Sequence, residues 1–188
     1  MTDPLTFLKT RRSRPAKIMT GPVPGKEALE ALLVVAARVP DHGKLEPWRF
    51  IVLEEAALRR LSVLATTLAE AAGPDVVDAA KNSYQFETGT LAVVVVESPK
   101  PCVKFPKIEQ TYSAGAVCLQ LVNAALASGW GANWLSGWAS HQPEFCARGL
   151  GLEPHERVAG IIHIGTGPAQ MPDRPRPDVA TITQWATE

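Results

Sequence analysis

Apolar residues along this chain follow two rhythms, and the change from one to the other marks its elements. Lys26 to Arg38 sets Ala28, Leu29, Leu32, Leu33, Val35 and Ala36 at the spacing of one helical stripe, and Pro40 stops it. Trp48-Arg-Phe-Ile-Val-Leu53 alternates and then turns wholly apolar, as a strand partly covered on both faces does. Leu91-Ala-Val-Val-Val-Val96 is β-branched without a break, which predicts a central strand. Val158 to Ile164 predicts a third core strand, and Asn133 to Gly137 a short strand and turn. Lys107 to Ser128 reads as a long helix whose later half is small and apolar on nearly every face, so it belongs in a core or a subunit interface.

The remaining segments are shorter or less regular. Leu5 to Thr10 predicts a short helix; Glu54 to Ala72 and Asp75 to Asn82 predict two more, parted at Gly73-Pro74; Pro143 to Leu150 predicts another. Ile18 to Gly25, with Pro22 and Pro24, reads as a surface linker, and Pro99 to Pro106 as a proline-bounded loop. From Pro168 onward the chain holds four of its sixteen prolines, which predicts an extended arm over about residues 168–188. Few strands mixed irregularly with many helices predict an α+β fold rather than a doubly wound parallel sheet, in one domain over residues 1–188.

Charge narrows the partners. Lysine plus arginine (19) equals aspartate plus glutamate (19), so no basic field draws the chain to nucleic acid or anionic lipid. The apolar run Ala114 to Ala127 carries Gln120 and Asn123 and is too short for a bilayer. Cys102, Cys118 and Cys146 have no metal or disulfide spacing, so buried thiols and no metal are expected. The first residues lack the pattern of a secretory signal, and a soluble cytoplasmic protein is the expectation.

Two polar blocks interrupt this apolar plan. Arg11-Arg12-Ser13, at the end of the first helix, offers guanidinium forks, a hydroxyl and backbone N–H groups, the chemistry of a phosphate clamp. A bland alternative is that these cations merely complement the helix dipole. The second block, Arg38-Val-Pro-Asp-His42-Gly-Lys-Leu-Glu-Pro-Trp48, crowds Arg, Asp, His and Lys between an apolar helix and an apolar strand, where a polar ligand is the usual target. Other motifs carry less. Gly129-Trp-Gly131 follows a helix and reads as its terminal turn rather than a dinucleotide fingerprint, and Gly165-Thr-Gly167 reads equally as a close approach to a ligand or as a strand exit. Ser136 lacks a nucleophile elbow, and His141, His155 and His163 read as surface or core histidines.

A helix ending in R-R-S, an R-x-P-D-H-x-x-x-x-P-W block, Ser113-Ala-Gly-Ala116 on a long helix and Gly129-Trp-Gly-Ala-Asn-Trp-Leu-Ser-Gly137, in that order, resemble the nitroreductase family, in particular its compact NAD(P)H nitroreductases. The likeness spans roughly residues 5–167. It implies a mainly antiparallel sheet flanked by helices, and a homodimer with FMN sites built from both subunits. It also implies NAD(P)H as donor and small nitroaromatic or quinone acceptors, served in turn by ping-pong hydride transfer at flavin N5.

Carried onto this chain, the resemblance assigns Arg11, Arg12 and Ser13 to the flavin phosphate, with Arg174 and Arg176 completing that site. Arg38 and His42 would reach the flavin from the partner subunit, and Trp134, Leu135 and Ser136 would lie along its rings. No side chain is expected to act as nucleophile, because the cofactor carries the chemistry. Two departures stand out. Glu46 occupies a position where Gln or Asn is common, and a carboxylate that cannot donate is expected to face away. Pro15 replaces a common basic residue, whose charge Lys17 or Arg14 would have to supply. Two other functions fit the same residues: an FMN-dependent oxidase or dehydrogenase of a small metabolite, and a non-catalytic flavin-binding module.

Overall fold

A computed structural model describes residues 3–74, 76 and 84–187. Four strands form one sheet: β1 (Trp48–Glu54), β2 (Leu91–Glu97), β3 (Gly131–Leu135) and β4 (Arg157–Gly165). Their order is β1-β2-β4-β3 and every pairing is antiparallel. This is the α+β architecture that the scarce strands and irregular helices predict.

The uninterrupted β2 run has a direct cause. All seven of its residues are buried, because the strand is central and helices cover both faces of the sheet. One face carries Val93, Val95, Ile162 and Ile164 beneath α2 (Lys26–Ala36) and the long α4 (Lys107–Ala127). The other carries Ala92, Val94, Val96 and Ile161 beneath α3 (Glu55–Ala72), with Phe86 and Phe145 filling the layer. Small residues on α4, among them Ala114, Ala124 and Ala125, let that helix lie close on the strands. Trp48 joins the two layers, since its indole N–H donates to Ser113 Oγ on α4 at 3.1 Å.

Several boundaries move. β1 runs to Glu54 and passes straight into α3, so Glu54 is strand and cap rather than helix. β3 starts at Gly131, two residues before the predicted strand, because Gly131 is paired with Gly165 instead of closing a helix. The segment Ile18–Gly25 is no free linker: Thr20 bridges Thr166 through two backbone hydrogen bonds of 2.9 and 2.8 Å, and Met19 is buried. Pro143–Leu150 is helical but widens to a π turn at Phe145–Gly149, where Gly149 lies against Leu61 too closely for a Cβ. A further short helix, α5 (Trp138–His141), precedes it. The predicted helix Asp75–Asn82 lies outside the described residues, apart from Val76. The arm from Pro168 is extended and exposed, with one 3-10 turn at Val179–Ile182.

Candidate functional site

The first cluster begins with a capped helix. Asp3 accepts from Thr6 N at 3.0 Å and Pro4 takes the first helical position, which starts α1 (Pro4–Thr10). At Arg11 the backbone turns extended (φ −58°, ψ 138°), and Arg14 N donates to Ala132 O at 2.9 Å along the open edge of β3. Extended chain sends alternate side chains to opposite sides. Arg11 and Ser13 meet, Nη2 to Oγ, at 3.2 Å, whereas Arg12 and Arg14 reach to the C-terminal arm.

Arg11 is the unusual member. Its Nε is buried with no partner among the described residues, and no carboxylate there pairs with its guanidinium. Burial first, then the positive charges of Arg176 and Arg12, hold its pKa below the usual arginine value. Arg176 has thus been brought from the arm into the field of Arg11. The compensation nearby is Asp173, 3.8 Å from Arg12 Nε and 2.8 Å from Arg176 Nη2, and it stands in solvent. Arg174 is exposed on the same arm. A cavity of about 480 Å³ opens beside the cluster, lined by Phe7, Arg11, Arg12, Arg14, Trp130 and Met171 among others. Arg11 and Arg12 beside a cavity, with the charge of Arg176 near them, favour an anionic ligand with several oxygen acceptors.

The second cluster is the turn after β3. Trp134 packs on Gly160, where a Cβ would lie 2.2 Å from the indole nitrogen, so glycine is required beneath it. Leu135 is half-buried, Ser136 exposed, and Gly137 has φ +136°. Gln85 Nε2 donates to Ser136 O at 3.2 Å and steadies the turn from below. His163, the register partner of Asn133, is buried with neither ring nitrogen bonded among the described residues, and burial pushes its pKa down to about 4. It is a neutral core histidine, one of the two readings its sequence position allowed; His141 and His155 are exposed.

The third cluster is the loop before β1. Asp41 accepts from Leu45 N (3.2 Å) and Glu46 N (2.8 Å), which folds the loop back on itself. Gly43, Lys44 and Glu46 all have positive φ (81°, 53° and 47°), a costly run for non-glycine residues. Gly43 has no alternative, because a Cβ would fall 2.3 Å from Phe105. His42 lies on the Phe105 ring (centroids 3.6 Å), and its Nδ1 sits 2.6 Å from Glu109 Oε2, so Nδ1–H donates to the carboxylate. Glu46 is exposed, with its amide tied to Asp41. Arg38 is exposed just beyond α2.

Within one chain, then, Arg11 bonds Ser13, Asp173 joins Arg12 to Arg176, and the charges of Arg12 and Arg176 are felt at Arg11. Trp134, Leu135 and Ser136 follow from the strand whose edge carries Arg14. No hydrogen bond or ion pair among the described residues links Arg38 or His42 to the arginine cluster. Glu109, Phe105, Gln85 and Asp173 escaped the sequence reading. Each lies far along the chain from the group it holds or is a lone residue in a polar stretch, and no local spacing marks it.

Comparison with known proteins bears on the family and the fold. The family model described as "Nitroreductase family" matches residues 8–166. A Haemophilus influenzae protein named "Putative NAD(P)H nitroreductase" is 36% identical over 168 residues, covering 88% of this chain and 89% of its own. An Escherichia coli protein of the same description is 33% identical over 166 residues, covering 87% and 88%. Among solved structures, a nitroreductase-like family protein from Bacillus cereus superposes with TM-score 0.82 at 24% identity, covering 100% of this chain and 98% of its own. One described as a "putative nitroreductase in complex with FMN" from Desulfovibrio desulfuricans superposes with TM-score 0.76 at 19% identity, covering 99% and 98%. With its sheet, its ordered motifs and most of its length matched, this chain belongs to the nitroreductase family.

Proposed function

We propose that the chain is an FMN-dependent NAD(P)H oxidoreductase reducing nitroaromatic or quinone-type acceptors, a single domain working as a homodimer. The observation that carries this reading is Arg11: a half-buried side chain whose buried Nε has no partner among the described residues, in the field of Arg12 and Arg176. A phosphate dianion fits that position. It offers oxygen acceptors to the orphaned donor, and its charge offsets both the burial that chiefly lowers the Arg11 pKa and the repulsion from Arg176 and Arg12 that adds to it. Ser13 adds a hydroxyl beside Arg11, and Arg174 stands on the same arm as Arg176.

FMN, when bound, supplies two-electron chemistry between a nicotinamide and the acceptor. The protein's own residues bind and orient. The turn Trp134-Leu135-Ser136, fixed by Gly160 below and Gln85 beside it, offers a flat indole edge and backbone groups to a planar ring system. Arg38 and His42 are exposed and unconnected to their own chain's arginine cluster, which suits delivery to a second copy. An apolar groove lined by Ala28, Leu32, Val35, Ala124 and Trp130, between α2 and α4, supports pairing of two copies through these helices. His42, oriented by Glu109 and Phe105, would bring its other ring nitrogen, Nε2, to a ligand of the partner subunit.

The test is a visible spectrum of the purified protein, then anaerobic mixing with NADH or NADPH, then addition of a nitroaromatic. A yellow protein bleached by a nicotinamide and restored by the acceptor is expected. Protein that takes up no FMN overturns the reading. Protein that binds FMN and is reduced too slowly for turnover by either nicotinamide overturns the donor assignment.

A further inference from the structure

Arg14 has no role in the function proposed above, although its charge, beside Pro15, is the obvious substitute in a phosphate clamp. Its donors point elsewhere. Nε donates to Pro168 O at 2.7 Å, Nη2 to Ala169 O at 3.0 Å and Nη1 to Arg12 O at 2.5 Å. Its backbone N–H holds the edge of β3 through Ala132 O. The stem runs between two glycines: a Cβ on Gly131 would lie 3.2 Å from Arg14 Cγ, and one on Gly167 would lie 3.0 Å from it. Gly167, which in the sequence looks like a strand exit, is thereby explained as room for this side chain, whereas a Cβ on Gly131 would meet Met19 Sδ (2.9 Å) and Gly165 O (3.1 Å) first. Lys17, the other candidate for the missing charge, is exposed on a 3-10 turn.

The carbonyls that Arg14 holds open the C-terminal arm. A few residues on, Arg12 Nε donates to Pro172 O at 2.9 Å, and Arg176 reaches the field of Arg11. From Gly167 to Asp178 no regular element holds the arm, and its residues are largely exposed. An exposed extended segment keeps a fixed course only where specific contacts tie it down. We propose that Arg14 is a positioning residue: its guanidinium latches the root of the arm to β3 and so delivers Arg176 to the anion site, without binding the anion itself. This rests on the FMN reading of that site.

The test is a double-mutant cycle on FMN affinity combined with hydrogen exchange of the flavin-free arm. Arg14→Lys keeps the charge and most of the stem but loses the fork that spans Pro168 and Ala169. It should weaken FMN binding about tenfold in the wild-type background, as loss of a charge-assisted contact does. In an Arg176→Ala background the same change should cost less than about twofold, because the residue it positions is already gone. Amides of residues 169–176 should exchange faster in flavin-free Arg14→Lys than in wild type. Gly167→Ala, which displaces the Arg14 stem with every charge in place, should act in the same direction. Equal FMN losses in both backgrounds, or unchanged exchange in the arm, would overturn the latch. Wild-type protein that binds no FMN overturns the site reading, whereas wild-type binding left unaltered by Arg14→Lys overturns the latch alone.

Discussion

Two groups of arginines in this chain have opposite surroundings. Arg49 and Arg157 each grip a buried carboxylate with both arms of the fork: Arg49 holds Glu156 at 2.8 and 2.7 Å, and Arg157 holds Glu97 at 2.6 and 3.0 Å. The arginine values are raised by these bonds, and Glu156 is pulled down to about 2 by its bond to Arg49. Arg11, Arg12 and Arg176 instead crowd one another, with the exposed Asp173 as their nearby counter-charge. The chain as a whole is neutral, so the imbalance is local and built by the fold. Where the fold supplies a carboxylate, the arginine is a structural strut; where it withholds one, as at Arg11, the proposed function puts the anion of a ligand.

The largest effect expected from this contrast is on stability. Arg157→Ala would leave Glu97, 2% exposed, with Thr111 Oγ1 as its remaining side-chain donor. Uncompensated buried charge costs several kcal/mol, reduced here because Arg157 itself is solvated and water can follow. A loss of about 2–3 kcal/mol, or roughly 4–12 °C in Tm, is expected, with FMN affinity changed less than twofold. Calorimetry and a flavin titration measure both. Arg11→Ala should show the reverse. FMN affinity should fall about tenfold to a hundredfold, the weight of one or two charge-assisted hydrogen bonds. The flavin-free protein should melt no lower than wild type, because the substitution relieves repulsion. A drop in Tm comparable to that of Arg157→Ala would put Arg11 among the struts.

Half of this contrast was legible in the sequence. Arg11-Arg12-Ser13 form a contiguous block at a helix end, and contiguity is what a sequence displays. The β2 run and the stripe on α2 were equally plain, because burial on two faces or one leaves a period that needs no partner to be seen. Arg49 with Glu156, and Arg157 with Glu97, gave no such sign. Each pair joins residues from separate elements, and it exists only because β2 lies between β1 and β4 in antiparallel register. The same limit hid Arg14 between Gly131 and Gly167, and Glu109 behind His42. Boundaries moved where tertiary pairing overrode local preference: Gly131 reads as a helix end until Gly165 pairs with it. The π turn at Phe145–Gly149 depends on contact with Leu61 and has no local signature.

Acid sharpens the comparison further. The folded-state pKa of Glu156 lies at about 2, below its ordinary value of 4.5, so on acidification the unfolded chain takes up the proton first. The contribution of the pair is therefore complete above pH 4.5 and is lost as pH falls from there through 2. Solvent around Arg49 limits it to about 1–2 kcal/mol. Stability measured by urea unfolding between pH 5 and 2.5 should decline more steeply in wild type than in Arg49→Ala. Parallel curves would mean that this fork adds nothing to the fold. Arg11→Ala should leave the slope as in wild type, since that cluster has no titrating partner buried with it.

The smallest effect concerns Asp173, the exposed counter-charge of the crowded group. Its carboxylate faces Arg12 and Arg176 and would face any dianion they hold. Asp173→Asn keeps an oxygen acceptor for Arg176 and for the amide of Arg174 while removing the negative charge. An exposed charge acts weakly through water, so FMN binding should tighten only about twofold to fivefold, and the gain should shrink in high salt. Weaker binding in Asp173→Asn would carry the opposite lesson. It would mean that the carboxylate serves mainly to hold Arg176 in place, and that the arginine cluster is partly compensated before any ligand arrives. The contrast with Arg49 and Arg157 would then be one of degree, set by how exposed the counter-charge is rather than by whether the fold provides one.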